Sequence, residues 1–216
     1  VIYDGNDKDA AEVIAAKAKE LGSPAYKVVQ AGAKVLGNNK DGIDFSLEDD
    51  YYGDTRFHIP FIAWYQVMNA SLALTTMEVL KDRIPVTMEQ LQAGIANTRW
   101  QGRMETILPG VIVDGAHNED GVRRFVETAE RFQKEYPLTL LFSAVNDKDY
   151  QDMIHTICSR IKFRKVVTTE VGGYREVPSA ELAEIFCKEG CKDVGNSDNI
   201  EEAFHMAHEA KGEDGM

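Results

Sequence analysis

Val111-Ile-Val-Asp-Gly-Ala-His-Asn118 runs a short apolar strand into an acid, a glycine, a histidine and an amide. A helical stripe from Gly121 to Gln133 follows. The same order recurs downstream. Leu138 to Phe142 is an almost continuous apolar strand, Tyr150 to Ile161 is helical and Val166 to Thr169 is a strand. Ser179 to Lys188 is helical, Val194 marks a short strand and Asn199 to Ala210 is helical. Strand then helix, repeated, with strands apolar along their whole length, predicts an α/β fold with a parallel sheet covered on both faces. Ile107-Leu108 and Val111 to Val113 read as short strands around Pro109-Gly110, and the polar tail Lys211-Gly-Glu-Asp-Gly-Met216 is expected to be mobile.

Upstream the texture differs. Asp7 to Leu21 carries a helical stripe, stopped by Gly22 and Ser23-Pro24, and Tyr26 to Val29 reads as a strand. The Gly-, Asn- and Asp-rich stretch from Ala31 to Asp54 predicts short antiparallel strands with tight turns. Phe61 to Leu80, between Pro60 and Pro85, predicts one well-buried helix, and Thr87 with Gln90 forms a capping-box pattern for a helix ending near Gly94. The charged, proline-closed turn Lys81 to Pro85 is the expected border between two domains, 1–84 and 85–216.

Composition narrows the function classes. With 44% hydrophobic and 28% charged residues in 216, the chain is too apolar to remain disordered. No stretch approaches the ~18 uninterrupted apolar residues of a membrane span, and the acidic start lacks a signal-peptide core. A cytoplasmic protein that engages neither membrane nor nucleic acid is expected. The formal charge of −12 excludes a duplex-binding surface, which needs a concentrated basic face. It does not exclude a nucleotide, which needs only one or two placed cations. The 3 cysteines lack zinc-ribbon spacing and read as reduced thiols. The chain opens on Val1 inside a strand, which implies a piece of something longer.

Four polar clusters are candidate sites, each with a plainer alternative. At the end of the Val111 strand, Asp114, His117 and Asn118 suit a ligand at a strand's carboxyl end; Asp114 and Asn118 would equally serve as helix caps. Arg103, in Trp100-Gln-Gly-Arg-Met-Glu105, has the donor fork that suits phosphate, or it forms a surface ion pair. Gln66 and Asn69 share one helix face and are either paired core amides or ligand contacts. Asn146-Asp-Lys-Asp149 is another polar strand end, or a plain turn and cap. Gly32 to Gly37 has the glycine spacing of a phosphate loop, but Asn38 and Asn39 replace its Lys and Ser/Thr. His205 and His208 share a helix face without a third metal ligand and read as solvated.

In order, Gln66-x-x-Asn69, Gly102-Arg103-x-Glu105, Asp114-Gly-Ala-His117-Asn118 and Asp147-Lys148-Asp149 resemble the folylpolyglutamate synthases of the ATP-dependent Mur ligase superfamily. Arg175 before Pro178-Ser-Ala-Glu-Leu182 adds to the resemblance. It implies a Rossmann-like, mainly parallel C-terminal domain preceded by part of the family's central ATPase domain. It implies ATP, Mg²⁺, L-glutamate and a reduced folate as ligands, and phosphoryl transfer to a folate γ-carboxylate followed by attack of the glutamate amine. By the same resemblance Asn69 contacts the nucleotide base, Arg103 the γ-phosphate and Asp114 the ribose. Arg103 and His117 carry the catalytic roles, His117 orienting phosphate or glutamate, and the domains close on ATP. The phosphate loop and metal ligands are expected in an upstream half, so this chain, monomeric by family or self-associating through exposed strand edges, is expected to be inactive alone. A dihydrofolate synthase, another Mur-type amide ligase and a non-catalytic binding module remain open alternatives.

Overall fold

A computed structural model describes residues 1–39 and 41–216 and divides into two compact units, Val1–Gln101 and Gly102–Met216. In the first unit, β1 (Ile2–Asp4) and β2 (Tyr26–Val28) pair in parallel through α1 (Lys8–Glu20), whose start is capped by the Asp7 carboxylate accepting from Ala10 N–H. Next come β3 (Ala33–Asn39), β4 (Gly42–Leu47) and β5 (Phe57–Ile59), an antiparallel sheet in that order, as the turn-rich composition predicts. Helices α2 (Tyr65–Leu80) and α3 (Met88–Ala96) complete the unit.

Phe45 and Phe57, both 0% exposed, lie 5.7 Å apart at the centre of this core, with Val67 and Leu74 of α2 and Leu91 of α3 against them. Tyr52 donates its hydroxyl to Leu74 O at 2.7 Å, and burial pushes that hydroxyl's pKa above the ordinary tyrosine range.

Two expectations change here. The helix after Pro60 starts at Tyr65, not Phe61, because Phe61, Ile62 and Ala63 are buried in non-helical backbone. An apolar run buried on every side reads alike in either conformation. The unit also extends beyond the turn at 81–85. The Thr87–Gln90 capping box forms as expected, but the helix it starts buries Leu91 in the first core, and the compact unit runs to Gln101.

The second unit opens with β6 (Glu105–Leu108) and β7 (Val111–Val113), antiparallel partners around Pro109-Gly110, where Gly110 has φ +69°. Then α4 (Glu119–Phe132), β8 (Leu138–Phe142), α5 (Tyr150–Arg160), β9 (Phe163–Thr168), α6 (Ser179–Lys188), β10 (Val194–Asn196) and α7 (Ile200–Lys211) alternate. Strands β10-β9-β8 form the expected parallel sheet in that order. Alternate residues of β9 face opposite layers: Val166 packs with Ile154, Leu182 and Phe186, while Val167 packs with Ala203 and Ala207. The hairpin strand β7 lies outside this parallel ladder, because a turn this short returns the chain antiparallel.

The tail is docked, contrary to the expectation of mobility. Met216 N–H donates to Pro137 O at 3.0 Å and Thr139 N–H to Met216 O at 2.7 Å. Arg164 grips the Asp214 carboxylate through both terminal nitrogens, at 3.0 and 2.7 Å, and also donates to Lys211 O. Side-chain polarity alone concealed this, since the docking joins backbone bonds along an edge strand to an ion pair with the distant Arg164.

Each core should answer to its own aromatic anchor. Phe57→Ala and Phe186→Ala are each expected to destabilise their own unit by about 3–5 kcal/mol. Urea unfolding followed by amide exchange in each unit checks this.

Candidate functional site

The segment between β7 and α4 is held by hydrogen bonds to the loop 102–105. Asp114, partly buried, accepts Ala116 N–H on Oδ1 at 2.8 Å and Met104 N–H on Oδ2 at 2.9 Å. Gly115 N–H donates to Gly102 O at 2.7 Å, and the Glu105 carboxylate accepts Gly102 N–H at 2.8 Å. Burial pushes the Asp114 carboxyl above its ordinary pKa, opposed by these two N–H donors and by the charge of Arg103.

The clamp presents Arg103. Gly102 has φ +67°, and Met104, at φ +49°, is the one non-glycine residue with positive φ among the described residues. Its side chain is buried, and its N–H is bonded to Asp114, which holds a conformation that L-residues disfavour. A Cβ at Gly115 would lie 2.9 Å from Arg103 Nη1 and 3.3 Å from Gly102 O, so the guanidinium end lies close over the Gly115 backbone and a side chain there would displace it.

His117 is exposed, and its Nδ1 lies 2.8 Å from Gly115 O. A carbonyl oxygen can only accept, so Nδ1 is the donor in this contact. Asn118 turns out to be the cap: its Oδ1 accepts Gly121 N–H at 2.8 Å and starts α4. Asp114 does not cap that helix. The structure thus gathers Arg103, Asp114 and His117 around Gly115.

Asn69 belongs to the first unit, on α2. It donates from Nδ2 to Gln66 Oε1 at 2.8 Å and is itself exposed. Gln66 is 4% exposed, and its Nε2 is buried without a hydrogen-bond partner. A buried amide donor left unpaired is costly and is the kind of group a ligand acceptor satisfies. In Asn146-Asp-Lys-Asp149 the plainer reading holds for the acids: Asp149 caps α5 through Asp152 N–H, and Asp147 pairs with Arg175 at 2.9 Å.

Sequence reasoning passed over two features. One is the pair that holds Arg103 in place, the left-handed Met104 and the bare face of Gly115. The other is a polar cluster at the carboxyl ends of the parallel strands. There Ser179, 0% exposed, donates to Asp198 Oδ1 at 2.5 Å and accepts from Asn196 Nδ2 at 3.1 Å. Thr168 Oγ1 donates to Ser179 O at 2.7 Å, and the neighbouring Thr169 Oγ1 is buried and unpartnered. Its signal was two threonines closing an apolar strand. Among the described residues, no group of three or more His, Cys, Asp or Glu side chains could hold a metal ion, and no helix is long and apolar enough to cross a membrane.

Residues 102–216 match the family model described as Mur ligase, glutamate ligase domain. Among curated proteins the chain is similar to the dihydrofolate synthase/folylpolyglutamate synthase of Bacillus subtilis, 36% identical over 126 residues that cover 55% of this chain and 29% of the relative. Among solved structures it resembles the folylpolyglutamate synthase of Thermotoga maritima, with a TM-score of 0.75 at 23% identity over 94% of this chain and 48% of that one. The Mycobacterium tuberculosis folylpolyglutamate synthase, solved with ADP and AMPPCP, gives a TM-score of 0.74 at 23% identity over 94% of this chain and 46% of that one. The chain spans about half the length of these solved relatives. It therefore belongs to the Mur ligase family, and its second unit is the family's glutamate ligase domain.

Proposed function

We propose that this chain is the carboxyl-side part of a folylpolyglutamate synthase, an ATP-dependent ligase that adds L-glutamate to the γ-carboxyl of (poly)glutamylated reduced folates through an acyl phosphate. On this reading residues 1–84 come from the central ATPase domain, and residues 85–101 pack with them in the same compact unit. The observation that carries the reading is the Arg103 clamp. A guanidinium seated on Gly115, with its loop tied on both sides, is a preorganised cation of the kind that phosphoryl transfer needs. The curated relative in Bacillus subtilis, named for this activity, supports it.

Each residue then has a chemical task. Arg103 offers its donor fork to phosphate oxygens as negative charge develops on them. Asp114 fixes the clamp, and its remaining lone pairs suit the ribose hydroxyls. His117, held through Nδ1 on Gly115 O, leaves Nε2 to orient the glutamate amine or the phosphate. On the first unit, Asn69 and the unpaired Nε2 of Gln66 suit the acceptor nitrogens of a nucleotide base. Among the described residues no cluster of three or more His, Cys, Asp or Glu side chains stands ready for the Mg²⁺ that the family uses. Its ligands and the triphosphate cradle are expected upstream of Val1, which would leave this chain inactive by itself.

The same Bacillus subtilis relative also carries the name dihydrofolate synthase, which favours a second reading. In it the acceptor is the carboxyl of a pteroate rather than of a glutamyl folate. Supplying both acceptors to the full-length enzyme separates the two.

The 216-residue chain is expected to show no ATP-dependent glutamate ligation; product formation measured with radiolabelled glutamate would refute that. Isothermal calorimetry is expected to detect ATP at millimolar affinity or tighter, with binding lost in Arg103→Ala. Unchanged affinity in that variant overturns the assignment of Arg103. Asp114→Asn replaces an acceptor oxygen with a donor facing a backbone N–H. It is expected to cost about 1–3 kcal/mol of stability, measured by urea unfolding. Gly115→Ala should weaken ATP binding while leaving unfolding nearly unchanged.

A further inference from the structure

The seam between α5 and α6 is fastened at three points. At one end Tyr150 donates its hydroxyl to Glu181 Oε1 at 2.7 Å. Midway, His155 Nδ1 lies 3.0 Å from Glu189 Oε2. At the far end the sulfurs of Cys158, on the last turns of α5, and Cys191, just past α6, are 3.7 Å apart across 33 residues of sequence. Both thiols are half-buried against the core built on Leu182 and Phe186. The backbone of Cys191 is itself fixed, since its N–H donates to Phe186 O at 3.1 Å. Cys187, on the last turn of α6, is exposed. None of these groups takes part in the Arg103 clamp.

We propose that Cys158 and Cys191 form a reversible dithiol–disulfide site whose oxidant is a low-molecular-weight disulfide. One cysteine thiolate attacks the reagent's S–S bond, giving a mixed disulfide and expelling one reagent thiolate. The second cysteine thiolate attacks the protein sulfur of that mixed disulfide. The Cys158–Cys191 bond forms and the second reagent thiolate leaves. Two electrons pass from the cysteine pair to the reagent, and the two thiol protons end on the two released thiols.

The contact already present favours the second step over a second reagent molecule, because the two sulfurs are held 3.7 Å apart. The first step is slow, since burial raises the pKa of both thiols and keeps them protonated. The pair therefore stays reduced in a reducing compartment and closes under sustained oxidation. Closure ties the carboxyl-terminal end of α5 to the turn after α6. The opposite end of α6, where Ser179 meets the strand ends, is left unmodified.

The test is oxidation of the 216-residue chain with glutathione disulfide, blocking of remaining thiols with N-ethylmaleimide, and peptide mass mapping. The expected product is a Cys158–Cys191 cross-linked peptide pair that dithiothreitol reverses, with Cys187 recovered alkylated or glutathionylated. Oxidation should raise the melting temperature by roughly 5–10 °C, in the native sequence and in Cys187→Ser, but not in Cys191→Ser. Recovery of Cys158 and Cys191 as alkylated thiols after prolonged oxidation overturns the proposal. So does a map in which Cys191 pairs with Cys187, or in which the bridges run between molecules.

Discussion

The second unit depends on a single carboxylate with two obligations. Asp114 accepts N–H groups from either side of the hairpin, Met104 before it and Ala116 after it. A partly buried carboxylate is costly unless its oxygens are occupied, and here each oxygen has a backbone donor. Those bonds hold Met104 in the left-handed region, a conformation that costs on the order of 1–3 kcal/mol for a residue with a side chain. The strain is sustained because Met104 is also buried, at 3% exposure. Arg103 lies between two fixed neighbours, so the point at which its side chain leaves the backbone is set, and its guanidinium end lies over Gly115. Removing the Asp114 charge would therefore disturb the arginine that contributes to its own electrostatic environment.

The electrostatics around this clamp are local. The chain carries a formal charge of −12, unfavourable to anionic ligands at long range. Physiological salt screens that field within ~8 Å, so the charges nearest the clamp decide. The start of α4 would ordinarily supply a positive pole, but Glu119 and Asp120 occupy its first turn and Asn118 already caps it. Arg123 and Arg124 pair with Asp120. The helix start is thus largely neutralised, and on the proposed reading the attraction of a phosphate falls to Arg103.

Much of this was legible in the sequence, for definite reasons. The alternation after Trp100 gave the parallel sheet because fully buried strands must be apolar throughout. The motif at 111–118 was readable because an acid, a glycine and a histidine crowd one strand end. The capping box at Thr87 was readable because capping is a local, two-residue interaction. What escaped was whatever depends on non-local backbone. The antiparallel pairing of β7, the docking of Met216 on β8 and the packing of α3 into the first core are all set by partners distant in sequence. At the site, Arg103 and Asp114 could be named from residue type. The left-handed Met104 and the bare face of Gly115 could not, since their significance lies in φ and in a 2.9 Å approach.

The two units carry their candidate residues in different states. In the second, every oxygen of Asp114 has a donor and the tie spans only the residues of one hairpin, so the clamp is complete without help from elsewhere. In the first, Asn69 satisfies the oxygen of Gln66 but leaves the buried Gln66 Nε2 with nothing to donate to. The unpaired donor works against the fold by about 1–3 kcal/mol. A ligand with an acceptor nitrogen would turn that penalty into binding energy. The first unit therefore carries an unsatisfied buried donor, while the second carries an arginine whose loop is tied on both sides.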